Sequence, residues 1–124
     1  MIFVFGSNLR GIHGAGAAAW AAKHKGAKYG VGVGRTGDSY ALPTKGYRIE
    51  EMSLDAIQTS VDIFLSYAKD HPDLKFQVTQ VGCGLAGHKS EDIAPMFKAA
   101  PSNCLFDMAW KPYLNENAQF WGTK

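Results

Sequence analysis

Two glycine-rich segments carry the residues best suited to binding an anion. The first is FGSNLRGIHGAGAAAW, residues 5–20, and the second is VGCGLAGHKSEDIAPMF, residues 81–97. Each follows a strand-like apolar run and precedes a helix start. Glycines let backbone N–H groups converge on a phosphate, and a helix N-terminus adds partial positive charge. Two such segments facing each other suit a diphosphate, whereas either one alone is equally well explained as an ordinary turn.

Neither segment fits the two best-known nucleotide-binding patterns. The Walker pattern needs a lysine and then a Ser or Thr directly after the last glycine of its loop, and neither segment matches it. The Rossmann fingerprint needs a strict G-x-G-x-x-G followed by a ribose-binding acid, which is also missing. The sequence therefore disfavours a P-loop enzyme and a Rossmann dehydrogenase.

Several side chains near these segments have suitable chemistry. His13 precedes the first glycine run and would donate to a phosphate or ribose, and His88 follows the second loop, where it would act as a proton donor. Arg10 and Arg35 suit phosphates by charge. Lys45 follows a predicted strand and has three interpretations: a solvated surface group, a nucleophile made neutral by desolvation, or a cation paired with a phosphate.

The two cysteines, Cys83 and Cys104, are too few for a disulfide framework and lack metal-ligand spacing. A helix N-terminus beside Cys83 would lower the pKa of its thiol, but a small residue inside a glycine loop more often serves backbone shape. Free thiols indicate a reducing compartment. Because the N-terminal MIFVFGSN also lacks the features of a signal peptide or membrane span, we expect a cytoplasmic protein that does not enter the membrane.

The composition is that of an ordinary folded protein. The chain has 124 residues, 46% hydrophobic and 19% charged, which suits one domain with a real core and excludes a disordered chain. A net charge of +2 is too small to indicate nucleic acid or an anionic membrane by itself.

Strands and helices alternate along the chain. Alanines predict the first helix, and apolar residues every three or four positions predict an amphipathic helix that begins after Ser53 as N-cap. The predicted elements are strands at 2–5, 39–42, 74–78 and 103–106, helices at 15–25, 53–69 and from 90 onward, and an irregular tail at 111–124.

This alternation predicts a single α/β domain over residues 1–124 with a mostly parallel sheet covered by helices. In such folds, ligands bind outside the carboxyl ends of the strands. Both glycine-rich segments follow strands, so we expect the site at that edge of the sheet.

Three segments together resemble the macro domains, which bind ADP-ribose. They are FGSN…HGAGAAAWAAKHKGA, YALPTK and VGCGLAGHKSEDIAPMF, and the likeness spans about residues 2–105. The resemblance implies a three-layer α/β/α fold with a mixed, mostly parallel sheet. It implies binding of ADP-ribose or a related nucleotide diphosphate sugar, free or attached to protein or nucleic acid, without a cofactor or metal. Short chains with this look are frequent in phage and bacterial genomes.

The resemblance also implies binding positions. Asn8 matches the asparagine that meets the distal ribose in macro domains. The glycine segments would wrap the diphosphate through Gly14, Ala15 and Gly16 in the first, and through Gly82, Cys83, Gly84, Leu85, Ala86 and Gly87 in the second.

The closest likeness is to the branch that removes terminal ADP-ribose from proteins. In that branch a lysine at the TK position attacks the sugar, and an aspartate directly after GCGL assists. Thr44 and Lys45 keep the first feature, but Ala86 stands where the aspartate would be, and alanine cannot transfer a proton. An ADP-ribose-binding protein and a hydrolase using Lys45 therefore both remain open. Adenine selectivity is not implied, because the acid that reads adenine lies upstream of the segments that match.

A third alternative belongs to a different class, a small nucleic-acid or protein interaction domain that reuses the fold. Its support is the slightly basic charge balance and the aromatic residues of the C-terminal tail. The oligomeric state is left open.

Overall fold

The computed structural model describes residues 1–123 as a mixed α/β fold. The strands are β1 (Ile2–Asn8), β2 (Gly34–Thr36), β3 (Ser39–Lys45), β4 (Phe76–Val78), β5 (Cys104–Asp107) and β6 (Gln119–Gly122). The helices are α1 (Gly16–His24), α2 (Leu54–Asp70) and α3 (Ser90–Ile93), with 3₁₀ turns at Ala94–Phe97 and Met108–Tyr113.

The six strands form one sheet in the order β2-β3-β1-β4-β5-β6. Five strands run parallel, and β2 pairs antiparallel with β3 at one edge. The predicted mostly parallel sheet is thereby confirmed. β2 itself was not predicted, because its three residues carry no apolar alternation. It reverses into β3 through a two-residue turn that starts at Gly37, whose φ of +57° favours glycine.

One face of the sheet packs against α2. Ile57, Val61, Phe64 and Ala68 are fully buried there, as their helical spacing predicted, while Leu54 at the helix start is exposed. Burying each large apolar side chain contributes about 1.5–3 kcal/mol. The predicted N-cap is also confirmed, since the backbone N–H of Ala56 donates to the Ser53 hydroxyl at 3.2 Å.

The opposite face packs against α1. Phe3 and Phe5 point to this side from β1, because successive strand residues face opposite ways. Trp20 of α1 lies over Phe3 with ring centroids 4.7 Å apart. The small side chains of α1 let the helix lie close to the sheet. Helices therefore cover both faces of the central strands.

Two predictions for the C-terminal half were wrong in part. The helix predicted from residue 90 onward is a single α-turn, because Pro95 has no N–H to continue the ladder and the chain tightens into a 3₁₀ turn. The tail predicted as irregular contains β6, which pairs with β5. Trp121 anchors it by donating its indole N–H to the Val78 carbonyl at 2.9 Å.

No helix within residues 1–123 combines the length and apolar character needed to cross a membrane.

Candidate functional site

A cavity of about 470 Å³ opens at the carboxyl ends of β1, β3 and β4. This is the edge of the sheet where the sequence predicted a site. The structure brings together most of the predicted site residues on its walls. They are Asn8, Gly14, Ala15, Gly16, Lys45, Gly82, Gly84, Leu85 and Ala86.

The first loop, residues 9–15, is closed by the side chain of Asn8. The Asn8 Nδ2 donates to the Ile12 carbonyl at 2.8 Å, and the Ile12 backbone N–H donates to Asn8 Oδ1 at 3.0 Å. An amide of this kind has two donors and two acceptor lone pairs, so one of each remains for a ligand. Asn8 therefore shapes the loop as well as lining the cavity.

A glycine segment that was not predicted as part of the site supports this loop from behind. A β-carbon on Gly32 would lie 2.3 Å from the Asn8 carbonyl oxygen, and one on Gly11 would lie 2.4 Å from the Gly30 carbonyl carbon. Gly30 also donates its N–H to the Gly11 carbonyl at 2.9 Å, and Ser7 Oγ donates to the Gly32 carbonyl at 2.6 Å. The backbones of the first loop and of residues 30–32 can touch because a glycine lies at each contact.

The amino end of α1 borders the cavity without a cap. Ala15, the N-cap, offers no side-chain acceptor, and the first turn contains no acidic residue. Within residues 1–123 the backbone N–H groups of Gly16, Ala17 and Ala18 have no acceptor, and all three residues line the cavity. Unpaired amides at a helix start attract negative charge.

The second loop, residues 82–88, presents a matching set of amides. It is held by its own backbone, with Gly87 N–H donating to the Gly84 carbonyl at 3.0 Å and His88 N–H donating to the Gly82 carbonyl at 2.9 Å. Among the described residues, no acceptor meets the N–H groups of Gly84, Leu85 and Ala86, which line the cavity. Residues with unpaired backbone N–H groups, from two separate elements, therefore line one cavity.

Leu85 brings the two loops into proximity. Its side chain is 70% exposed, and a β-carbon on Gly16 would lie 3.6 Å from Leu85 Cδ1. The side chain thus reaches from the second loop to the first turn of α1 at the mouth of the cavity.

Lys45 is the one charged side chain on the cavity wall among residues 1–123. It ends β3 beside Asn8 of β1, and no carboxylate in the described part of the chain forms an ion pair with it. Ala86 lines the wall where the resemblance placed an acid. No Asp, Glu, His or Cys of residues 1–123 lines the cavity itself. Glu51 lies next to Lys45 off the wall, because the two residues form an isolated antiparallel β-bridge, and its Oε1 lies 3.8 Å from His88 Nε2.

Gln80 supplies a fixed polar group that the sequence did not reveal. It lines the cavity, and its Nε2 donates to Asp107 Oδ2 at 3.2 Å. Asp107 is almost fully buried and also accepts from the Ala109 N–H at 2.9 Å and the Thr123 hydroxyl at 2.8 Å. An ionised carboxylate only accepts, so the amide nitrogen of Gln80 must face it. Gln80 Oε1 is left as an acceptor.

Ile49 is the second wall residue that the sequence did not reveal. Its φ is +61°, a left-handed conformation that strains a β-branched residue. A tight turn holds it there, because Gly46 N–H donates to the Glu50 carbonyl at 3.0 Å and Ile49 N–H donates to the Gly46 carbonyl at 3.1 Å. The turn directly follows Lys45 and places Ile49 on the cavity wall.

Two predicted ligand-binding residues lie away from the cavity. The His13 ring is buried between Phe5 and Tyr29, with centroids 5.3 and 5.4 Å away, and its Nε2 lies 3.0 Å from the Lys28 carbonyl oxygen. Arg35 lies on β2 opposite Tyr40, near the amino end of β3, whereas the cavity is at the carboxyl end. Both residues were predicted to bind the ligand because they lie near glycines in the sequence. That nearness does not show at which end of the strands they lie.

The remaining second-loop residues lie off the cavity wall. Cys83 packs against the core, where burial raises the pKa of its thiol, opposite to the lowering that a helix N-terminus would give. Gly87 closes the loop with a φ of +80° and, like Cys83, does not line the cavity. His88 does not line the cavity, and its Nε2 lies 2.9 Å from the Met52 carbonyl oxygen and 3.8 Å from Glu51 Oε1.

Comparison with known proteins matches the chain to no family model, no curated protein and no solved structure. The geometry of the cavity and the resemblance of the three segments therefore carry the functional argument.

Proposed function

We propose that the protein binds ADP-ribose or a related nucleotide diphosphate sugar between the two loops, as a macro-type domain. One observation carries the proposal: two separate sets of unpaired backbone amides line a cavity whose charged side chain is the cation of Lys45. A diphosphate has the charge and the number of acceptor oxygens to meet both sets at once.

The rest of the wall suits a nucleoside or sugar. Ile12, Ile49 and Leu85 give apolar surface, and Gln80 Oε1 gives one acceptor for a hydroxyl or amine of the ligand. A volume of about 470 Å³ lies within the range of small-molecule sites, which is about 300–1,000 Å³. An apolar wall with a few fixed polar groups is the usual composition of such sites.

Binding is better supported than hydrolysis. Release of an ADP-ribosyl group needs a proton donor or acceptor beside the reacting bond, and Ala86 supplies neither. The observation that favours a hydrolase is Lys45 itself, which lines the cavity without an ion pair among residues 1–123. We keep an ADP-ribosyl hydrolase using Lys45 as the second candidate function.

Calorimetry tests the binding proposal. We expect heat on titrating ADP-ribose, weaker heat with AMP, and at least a tenfold loss of affinity in Lys45→Met, because that variant removes the cation while keeping the length of the side chain. Lys75→Met is the matched control, since Lys75 is exposed on the far side of the sheet from the cavity. No heat at millimolar protein and ligand would contradict the proposal.

A separate assay decides between binding and hydrolysis. The protein is incubated with ADP-ribosylated peptide and with ADP-ribosylated oligonucleotide, with and without borohydride. If Lys45 is the nucleophile, borohydride should trap a covalent adduct between the protein and the ADP-ribosyl group. The Lys45→Ala variant should then release no ADP-ribose. If no ADP-ribose is released from either substrate, the hydrolase function is ruled out and the binding proposal is unaffected.

A further inference from the structure

The small net charge of this chain conceals a strong separation of charge. Residues 1–49 contain seven basic residues and one acidic residue, a net charge of +6, whereas residues 50–124 contain six basic and ten acidic residues, a net charge of −4. Such a separation matters only where the fold gathers the basic residues on one surface.

The fold brings the segments that carry these residues next to one another, because hydrogen bonds join each segment to the next. Asp38 N–H donates to the Lys25 carbonyl at 2.9 Å, and Lys28 N–H donates to Thr36 Oγ1 at 3.1 Å. Gly30 N–H donates to the Gly11 carbonyl at 2.9 Å, beside Arg10, and Leu9 N–H donates to the Lys45 carbonyl at 3.0 Å. The surface runs from the end of α1 along the β2 edge to the mouth of the cavity.

We call this surface the basic edge. Its exposed cations include Arg10, Lys28, Arg35 and Arg48. The ion pairs found within residues 1–123 join His88 to Glu51 and Lys89 to Glu91, so none neutralises the basic edge. One carboxylate lies in the same turn as Arg48, because Glu50 Oε1 accepts the Arg48 backbone N–H at 2.8 Å, but within residues 1–123 no ion pair joins a carboxylate to any of the four side chains.

Exposed aromatic rings accompany these cations. Tyr29 is 63% exposed and follows Lys28, while Tyr47 is 67% exposed and precedes Arg48. Within residues 1–123 these two are the aromatic members of the set of large apolar side chains left exposed. The aromatic residues of the C-terminal tail, by contrast, are half-buried against the sheet.

We propose that the basic edge binds single-stranded nucleic acid, with phosphates on Arg10, Lys28 and Arg48 and unpaired bases stacked on Tyr29 and Tyr47. Cations give affinity for any polyanion, but rings beside them favour a strand with free bases, since every base has a face on which to stack. A duplex hides those faces, and an acidic peptide has none to offer. The surface adjoins the mouth of the cavity, but none of these five residues lines the cavity itself.

The test is fluorescence anisotropy with a labelled 20-nucleotide single strand over a range of salt concentrations. We expect a triple variant Arg10→Gln, Lys28→Gln, Arg48→Gln to bind at least tenfold more weakly. The slope of log K against log salt should become shallower by about 2, at roughly 0.7 per lost phosphate contact. Lys45 is left unchanged because it lines the cavity.

Lys69, Lys75 and Lys111 provide the matched control, since all three are exposed and lie outside the basic edge. Their triple change to Gln removes the same charge and should leave the affinity within about twofold. An equal loss in both triple variants would overturn the proposal, because net charge alone would then explain binding.

Tyr47→Ser separates base stacking from charge. We expect a loss of roughly fivefold or more for the single strand with no change in salt slope, because stacking contributes about 1–3 kcal/mol per base. Equal binding of a polyglutamate peptide, or failure to bind the single strand at low salt, would overturn the proposal. Calorimetry of the same samples with ADP-ribose reads the cavity independently, so the two proposals fail separately.

Discussion

The two loops that flank the cavity differ in how they are held. The first loop is fixed from outside, by the Asn8 amide and by the bare backbone of residues 30–32 pressed against it. The second loop is fixed mainly by its own hydrogen bonds, and β-carbons on Gly84 and Gly87 would meet nothing within 4 Å. One wall of the cavity is therefore a rigid support and the other has room around it.

This difference assigns separate tasks to the loops. Under the proposed function, a rigid first loop would keep the amides of α1 in place before the ligand arrives, which would lower the ordering cost of binding. The second loop, with Leu85 largely in solvent, would have space to adjust to the ligand. Substitutions in the first loop should therefore cost stability, and those in the second should act mainly on affinity.

The largest expected effect comes from adding a methyl group at one glycine of each region: Gly32, which supports the first loop, and Gly84 of the second loop. Gly32→Ala would bring a β-carbon to 2.3 Å from a backbone oxygen, so the two segments must separate. We expect the free energy of unfolding to fall by about 3 kcal/mol or more, and Gly84→Ala to change it by less than about 0.5 kcal/mol. Urea denaturation measures both, and equal losses would contradict the comparison.

The next effect is the loss of a side-chain support. Asn8→Ala removes both hydrogen bonds that close the first loop and should lower the free energy of unfolding by about 2 kcal/mol, with weaker ADP-ribose binding. In the second loop, His88→Ala loses one bond to the Met52 carbonyl and should cost about 1 kcal/mol. If His88→Ala proves the more destabilising variant, the second loop is the better anchored one.

A third effect has opposite signs for stability and binding. Ile49→Asn replaces a β-branched residue at φ +61° by one that tolerates this conformation, and should raise the free energy of unfolding by about 1 kcal/mol. It should also weaken ADP-ribose binding, because apolar wall is lost. Ile63→Asn, at an exposed site on α2, is the control and should lower stability slightly without touching affinity.

The smallest effect is one of pH and belongs to the second loop. Burial raises the pKa of the Cys83 thiol above its ordinary value of 9.0, so the neutral thiol is the form that the fold favours. Its contribution to stability is full below pH 9 and is lost as the pH rises past that value. Cys104 and Tyr40, whose pKa values burial raises to about 12, act in the same direction.

Chemical denaturation between pH 6 and pH 10.5 checks this expectation. The free energy of unfolding should be flat to pH 8 and decline above pH 9, and the decline should be smaller in Cys83→Ala. Alkylation of Cys83 by iodoacetamide should be slow at pH 8. Rapid alkylation at pH 7 would show a thiolate and contradict the structural role given to this residue.

The sequence predicted elements whose signal is local. The stripe from Ile57 to Ala68 and the Ser53 cap lie within one helix, and periodicity reveals them without knowledge of any neighbour. β2 and β6 were not predicted, because a strand of three or four partly exposed residues at the edge of a sheet need not alternate apolar and polar residues. Pairing with β3 and β5 makes them strands, and pairing is a property of the whole fold.

The place of the cavity was predictable from the sequence, but its detail was not. Strand order put the glycine segments at the carboxyl edge of the sheet, and the cavity lies there. The supports could not be predicted, because the contact of Gly32 with Asn8 joins positions 24 residues apart and nothing local marks it. The fixed amide of Gln80 depends in the same way on Asp107, a residue of the neighbouring strand.

The position of β1 in the sheet has a consequence for how the chain assembles. β1 is synthesised before the other five strands of this sheet, yet it lies between β3 and β4, and its pairing with β4 waits until residue 78 exists. Until then one edge of an apolar strand stays open to other chains, a condition that promotes aggregation of incomplete products. Ribosomal pausing shortly before β4 should therefore lower the yield of folded protein more than pausing after it.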